Sequence, residues 1–286
     1  MLVVRSAGRL GNQLFVFSAC QKALKPSEKL VLFGFDELVA AFPELAETTR
    51  HVPLPRRKWW IWTAVHQVLA LLSFLRLTRR LVLAHDGSRL RVTAGLLPVR
   101  LFDAGFCQDS QLLQKASDLA LWDTARVRHG AFLASCGLDT KSVNDASYFI
   151  HVRRGDYLNH PSPEFPAVLP SSWFINQMET IRSSNPKARF LVFSDDLDYC
   201  QRKFGADPTV SLVDGDAVQS LLAMSLCKGG VLSASSLSWW AAYLSSERSE
   251  GPFIAPKYWI NWRSQSWGTE TLESSPFVHW VNVPLP

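Results

Sequence analysis

The stretch Phe149-Ile-His-Val-Arg-Arg-Gly-Asp-Tyr157 runs an apolar strand directly into two arginines, a glycine and an aspartate. Ligands of open parallel α/β sheets bind at the carboxyl ends of strands, so charged groups placed there point to a binding site. Side chains alternate along a strand, which puts His151 and Arg153 on one face and Arg154 on the other. Arg153 is therefore expected as a bidentate clamp for a phosphate, and Arg154 as the structural partner of Asp156 or another carboxylate. The plainer reading is a surface arginine pair beside a turn glycine.

Three further strand ends surround this one in the pattern. Val231-Leu-Ser-Ala-Ser-Ser-Leu-Ser-Trp-Trp240 passes into four hydroxyls and then an apolar helix. Ser235, Ser236, Leu237 and Ser238 would thus sit at a helix N-terminus, which suits a phosphate or diphosphate, although serines there also serve as plain caps. Phe190-Leu-Val-Phe-Ser-Asp-Asp196 presents Ser194, Asp195 and Asp196, which can order the arginine pair, bind a base or ribose, or cap the next helix. Near the start, Ser6-Ala-Gly-Arg-Leu-Gly-Asn-Gln13 is a glycine-containing strand-to-helix loop, with Gly8, Arg9, Gly11, Asn12 and Gln13 able to approach a ligand.

Short apolar or β-branched runs recur along the chain at 2–5, 30–33, 81–84, 99–102, 148–152, 190–193, 210–213 and 231–233, separated by helix-like stretches such as 171–184, 218–227 and 237–246. That alternation predicts α/β architecture with largely parallel sheets. The polar stretch at 137–145 is the expected junction, giving domains at 1–140 and 141–286.

The 286 residues hold 47% hydrophobic and 19% charged side chains, which excludes a disordered chain. The net charge of +5 is unevenly placed: residues 1–100 carry 15 basic and 6 acidic groups, and 101–286 carry 15 basic and 19 acidic. No nucleic-acid recognition motif accompanies the basic residues, so nucleic acid is not an expected partner. Five scattered cysteines without CxxC spacing suit a reducing compartment, and no secretory leader is read at the start, so a cytoplasmic location is expected. Most of the 11 tryptophans are expected in the core or an interface, Trp239 being a candidate for the acceptor side. From 59 to 77 the chain reads WWIWTAVHQVLALLSFLRL with basic residues beyond both ends. Three readings stand: a buried helix, a membrane span, or an interfacial helix giving peripheral membrane contact through 59–80, at the inner face of the membrane.

The pieces GRLGNQLF (8–15), GFCQDS (105–110), HVRRGDY (151–157), FSDD (193–196), LLAMSLCK (221–228), SASSLSWWAAYL (233–244) and IAP (254–256) resemble, in this order, the α-1,2-fucosyltransferases of glycosyltransferase family 11, including its bacterial members. Two departures are Ala234, where the family usually has Asn, and Ser220, near a position often occupied by Asp. The resemblance implies a GT-B fold of two Rossmann-like domains facing a cleft. It also implies GDP-fucose held by the C-terminal domain and a terminal β-galactose fucosylated at its 2-hydroxyl. The donor leaves a negative charge on its β-phosphate, which Arg153, the serine loop and a helix dipole can stabilise without a metal or other cofactor. His151, Asp156 and Asp195 are candidate bases or relays for the acceptor hydroxyl. Two competing readings are a manganese-dependent UDP-sugar transferase using Asp214 and Asp216, and a noncatalytic sugar-binding scaffold.

Overall fold

The computed structural model describes residues 1–6, 8–53, 59–83, 89–115, 118–119, 121–140, 143–268 and 272–285, without the side chains of 59, 61, 62, 65, 66 and 69. Expectations resting on Trp59, Trp62, His66 and the basic residues 56–58 lie outside that description. The chain forms two compact units, Met1–Leu121 and Trp122–Pro286. The division falls ahead of the 137–145 stretch. Helices α5 (Leu121–Arg128) and α6 (Gly130–Ser135) go with the second unit, because Trp122 packs against Trp240 at 6.0 Å between ring centroids and α6 packs on α9 (Ala217–Met224).

In the first unit, β1 (Leu2–Arg5), β2 (Leu30–Phe33), β3 (Thr49–Val52), β4 (Arg79–Leu83), β5 (Leu90–Val92) and β6 (Arg100–Phe102) form one sheet in the order β3-β2-β1-β6-β4-β5. All neighbours are parallel except β4 and β5. Its helices are α1 (Leu10–Ala23), α2 (Asp36–Ala41), α3 (Leu45–Thr48) and α4 (Trp59–Phe74). Arg100 opens β6 by pairing with Glu28 and donating from Nη2 to Ala23 O at 2.8 Å, which ties that strand to the chain entering β2. Both charged side chains are buried, a geometry stable only because each is answered.

The second unit carries β7 (Asn144–Val152), β8 (Arg189–Ser194), β9 (Val210–Val213), β10 (Cys227–Val231), β11 (Phe253–Pro256) and β12 (Val278–Val281), all parallel, in the order β12-β11-β10-β7-β8-β9. Helices α7 (Ser171–Ser184), α8 (Leu197–Phe204), α9 and α10 (Ser236–Ser246) accompany it. Residues 147–152 of β7 are buried on both faces, as expected of a central parallel strand. Tyr148, Ile150 and Val152 join Trp173, Phe174 and Phe190 in one core cluster. Beside it, β10 reads Cys-Lys-Gly-Gly-Val: a Cβ on Gly230 would enter the Phe149 ring, and one on Gly229 would meet the Pro252 carbonyl. Glycine is required there by close packing of neighbouring strands.

Both units are doubly wound α/β domains, the two Rossmann-like components from which GT-B proteins are built. In each sheet the strand order reverses once: between β1 and β6 in the first, and between β7 and β10 in the second. Those reversals leave a crevice at the carboxyl ends of the two central strands, where this class of sheet binds ligands.

Candidate active site

The second reversal point gathers the sequence-predicted residues. β7 ends at Val152, so Arg153 and Arg154 begin the loop that follows it, and β10 ends at Val231, two residues before Ser233. Ser233 joins the two ends: its Oγ donates to His151 O at 2.7 Å and accepts from Arg153 N–H at 2.9 Å. On the opposite side of β7, Ser194 Oγ donates to Val152 O at 2.7 Å and accepts from Asp196 N–H at 2.9 Å. Consecutive carbonyls of the β7 terminus are thus gripped by a hydroxyl from each flanking strand end.

The arginine pair divides as alternation requires, and of the two partners expected for Arg154 the structure shows the other carboxylate, Asp196, rather than Asp156. Arg153 Nη2 contacts Asp156 Oδ1 at 2.6 Å, and Nη1 contacts Asp195 Oδ2 at 2.9 Å. Arg154 does not hold Asp156. Its Nε donates to Asp196 Oδ2 at 3.0 Å, its amide donates to Asp195 Oδ1 at 2.8 Å, and its guanidinium carbon lies 3.5 Å from the centre of the Tyr199 ring. Asp196 also caps α8 by accepting from Tyr199 N–H at 3.0 Å. That backbone bond, followed by the one from Arg154, holds its carboxyl below the usual aspartate range. Arg154 and Asp196 are therefore structural, whereas Arg153, Asp156 and Asp195 share one partly exposed cluster.

His151 is buried beneath this cluster. Burial, and next the Arg153 charge, push its pKa down to about 3, so the imidazole is neutral at ordinary pH. Its Nδ1 has no hydrogen-bond partner among the described residues. The ring of this candidate base or relay is thus enclosed, and its backbone carbonyl accepts from Ser233.

At the start of α10, Ser235 is the N-cap, and Ser236 and Leu237 are half-buried. Backbone N–H groups in a first helical turn lack intrahelical acceptors and favour an anion. Ser238 differs from expectation: it is buried, and its hydroxyl donates to Ser233 O at 3.2 Å and Ser235 O at 3.0 Å. Ser194 likewise turns inward as described. Trp239 is fully buried, donating from Nε1 to Ser275 Oγ at 2.9 Å and stacking on Tyr243, so it is a core residue rather than one on the acceptor side. Tyr157 reaches back to Ala234 O at 2.6 Å, a contact that pairs the two motifs and was not foreseen.

Of the Asp214/Asp216 pair, Asp216 has a capping role. Asp216 Oδ1 accepts from Val218 N–H and Gln219 N–H, both at 2.8 Å, while Gln219 Oε1 accepts from Asp216 N–H at 3.0 Å, a reciprocal capping box for α9.

The loop after β1 lies at the reversal point of the first sheet. Gly8 has φ +69°, a left-handed turn that suits glycine. Arg9 is exposed at the start of α1 and lies 3.7 Å from Glu37, whose other oxygen accepts from Leu10 N–H at 3.0 Å. Gln13 is buried and holds Leu38 N–H and Gly8 O. Gly11 is buried within α1, and Asn12 accepts from Gln108 Nε2 at 3.2 Å. Beyond β1 and β6 opens a cavity of about 630 Å³ lined by Arg5, Ser73, Phe74, Phe102, Asp103 and Phe106 among others.

With this geometry in place, residues 99–281 match the model of Glycosyl transferase family 11. The chain belongs to glycosyltransferase family 11. Among curated relatives of this family 11 protein, the O-antigen biosynthesis glycosyltransferase WbnK of Escherichia coli is 27% identical over 139 residues, covering 47% of this chain and 43% of that one. An alpha-1,2-colitosyltransferase of Escherichia coli is 29% identical over 134 residues, covering 43% and 46%. The family 11 chain thus spans less than half the length of these relatives. Among solved structures, the fucosyltransferase NodZ from Bradyrhizobium aligns at a TM-score of 0.48 with 13% identity, covering 84% of this chain and 92% of that one.

Proposed function

We propose that this family 11 protein is an inverting galactoside α-1,2-fucosyltransferase, moving L-fucose from GDP-β-L-fucose to the 2-hydroxyl of a terminal β-galactose. The observation that carries the reading is the convergence of Arg153, Asp156, Asp195 and the α10 N-terminus at the β7/β10 reversal point. In this mechanism the anomeric carbon is attacked as GDP departs. The guanidinium of Arg153 and the first N–H groups of α10, at Ser236 and Leu237, stabilise the charge developing on the β-phosphate. The donor phosphates replace one of the carboxylates now held by Arg153. Asp156 is exposed and Asp195 less so, and either carboxylate accepts the proton of the attacking hydroxyl once released from the guanidinium. His151, neutral and buried, supports the strand end.

The acceptor is assigned to the first unit, at the reversal point formed by Gly8, Arg9, Asn12 and the cavity beyond β1 and β6. Aromatic side chains such as Phe74 and Phe106 supply faces for a sugar ring, and the Arg80–Asp103 pair supplies hydrogen-bonding groups at the cavity wall. No metal or other cofactor enters the scheme. The five cysteines are all free, which supports a reducing, cytoplasmic setting.

A transfer assay with GDP-fucose over a panel of galactosides, with and without EDTA and with product linkage determined, tests the proposal. Activated colitose serves as a second donor, chosen because a relative bears the name colitosyltransferase. Formation of an α-1,2-fucosyl galactoside, unaffected by EDTA, is expected. Manganese-dependent turnover of a UDP-sugar, or absence of GDP release with every acceptor, overturns it.

A further inference from the structure

Helix α4 and the turn that follows β5 leave a broad apolar surface open. Trp60, Val68, Leu71 and Leu75 are 61, 56, 56 and 52% exposed, and Leu96 is 80% exposed. The surface is continuous, because Leu96 N–H donates to Arg76 O at 3.1 Å and Leu97 N–H to Leu77 O at 2.8 Å. Those bonds seat residues 96 and 97 against the chain leaving α4. The face of α4 that carries Trp60, Val68, Leu71 and Leu75 is therefore open, and exposed apolar patches of this kind mark an interaction surface.

Charge identifies what the surface meets. Between residues 49 and 102 the sequence carries ten arginines and lysines and a single acid, Asp86; residues 56–58 and 86 lie outside the described residues, Arg80 pairs with Asp103, and Arg100 is buried against Glu28. Arg76 and Arg91 are exposed around the apolar patch, Arg76 leaving α4 and Arg91 on the edge strand β5. A second copy of the same face would bring cations against cations, since a twofold contact is self-complementary. A bilayer with anionic headgroups answers both halves: apolar side chains enter the acyl boundary, and arginines lie among the phosphates. No helix among the described residues is long and apolar enough to cross a membrane, so the contact lies along the surface. We propose that α4 together with the 93–97 turn docks this protein on an anionic bilayer.

Sedimentation of the full chain with phosphatidylcholine vesicles, with or without phosphatidylglycerol, tests this directly and needs no turnover, so it stands apart from the assigned reaction. Binding to the anionic vesicles alone, weakened by salt, is expected. Arg91→Gln, a change at an exposed site, should lower partition about fivefold. The double variant Leu75→Asp/Leu96→Asp should lower it at least about tenfold, with its melting curve unchanged. Protein left in the supernatant with both vesicles, equal binding to both, or parental binding by the double variant overturns the proposal. A lipid-free dimer that the double variant converts to monomer does so too, by assigning the face to a second copy.

Discussion

Ser233→Ala removes the hydroxyl that joins the ends of β7 and β10, and its cost can be worked from the bonds it makes. Ser233 is 1% exposed, so water does not replace the lost group. His151 O keeps one partner, since Ser233 N–H also donates to it at 3.1 Å. Arg153 N–H loses its acceptor at 2.9 Å and has no replacement from the alanine. One net hydrogen bond to a carbonyl contributes about 0.5–1.5 kcal/mol, and an orphaned buried amide costs about 1–3 kcal/mol. The sum is about 1.5–4.5 kcal/mol, which for a unit of this size corresponds to a fall in melting temperature of about 3–18 °C. Thermal unfolding followed by tryptophan fluorescence reads this, as Trp239 and Trp240 are buried behind the loop. A second effect follows at the site, because the amide held by Ser233 belongs to the residue whose guanidinium faces Asp156 and Asp195. Transfer measured well below the melt should drop about tenfold to a hundredfold in kcat/KM, the size of effect produced by an ångström of misplacement. A variant that melts within about 1 °C of the parent and keeps full turnover would refute the clamp and the positioning argument together.

Arg153→Lys keeps the charge but cannot span Asp156 and Asp195 with a planar fork; kcat/KM with GDP-fucose should fall about 10²–10³-fold, and parental kinetics would remove Arg153 from the reaction. Gly155→Ala places a Cβ 2.5 Å from Asp195 Oδ2, forcing that carboxylate off Arg153, so activity should fall at least about tenfold while unfolding changes by less than about 1 kcal/mol; an unchanged rate would show that the Arg153–Asp195 contact is dispensable. His151 has a folded pKa of about 3 against an ordinary value of 6.5, so the unfolded chain binds the extra proton between them. Its contribution to stability is complete above about pH 6.5 and is lost as pH falls toward about 3. Melting curves of His151→Asn should accordingly depend less steeply on pH across that window than the parent's, and equal slopes would refute the buried neutral assignment.

The strands at 2–5, 30–33 and 210–213 and the helix at 171–184 were legible because a short apolar run or a helical repeat stands between clear breaks. β10 spans Cys227–Val231, ahead of the apolar run at 231–233, because Gly229 and Gly230 carry little strand propensity of their own. In the folded sheet they are what allows β10 to lie against Phe149 and Pro252. The last two strands of the second sheet were missed for a related reason: β11 ends in proline and β12 mixes His279 and Trp280 with two valines, so neither shows a clean period. At the site, the arginine pair and the carboxylates could be found because charges directly after a buried strand have few uses. The direction of a serine hydroxyl could not. Ser194, Ser233 and Ser238 look alike to Ser235 and Ser236 in one dimension, yet three of them turn to backbone carbonyls and leave the helix start to the others.

The distribution of charge separates two tasks that the net value of +5 merges. The cluster at the β7/β10 reversal point sets Arg153 and Arg154 against Asp156, Asp195 and Asp196, so it carries no local excess of positive charge. An anionic donor is not drawn there by a basic field; in the assigned reaction it must exchange with a carboxylate already on Arg153 and gain the helix-terminal N–H groups, which rewards a correctly placed diphosphate over an arbitrary anion. The excess of basic residues lies instead between 49 and 102 of the sequence, where Arg76, leaving α4, and Arg91, on β5, are exposed. Long-range attraction and chemical selection are thereby placed in different units, and salt should weaken a surface contact of the first far more than donor selection by the second.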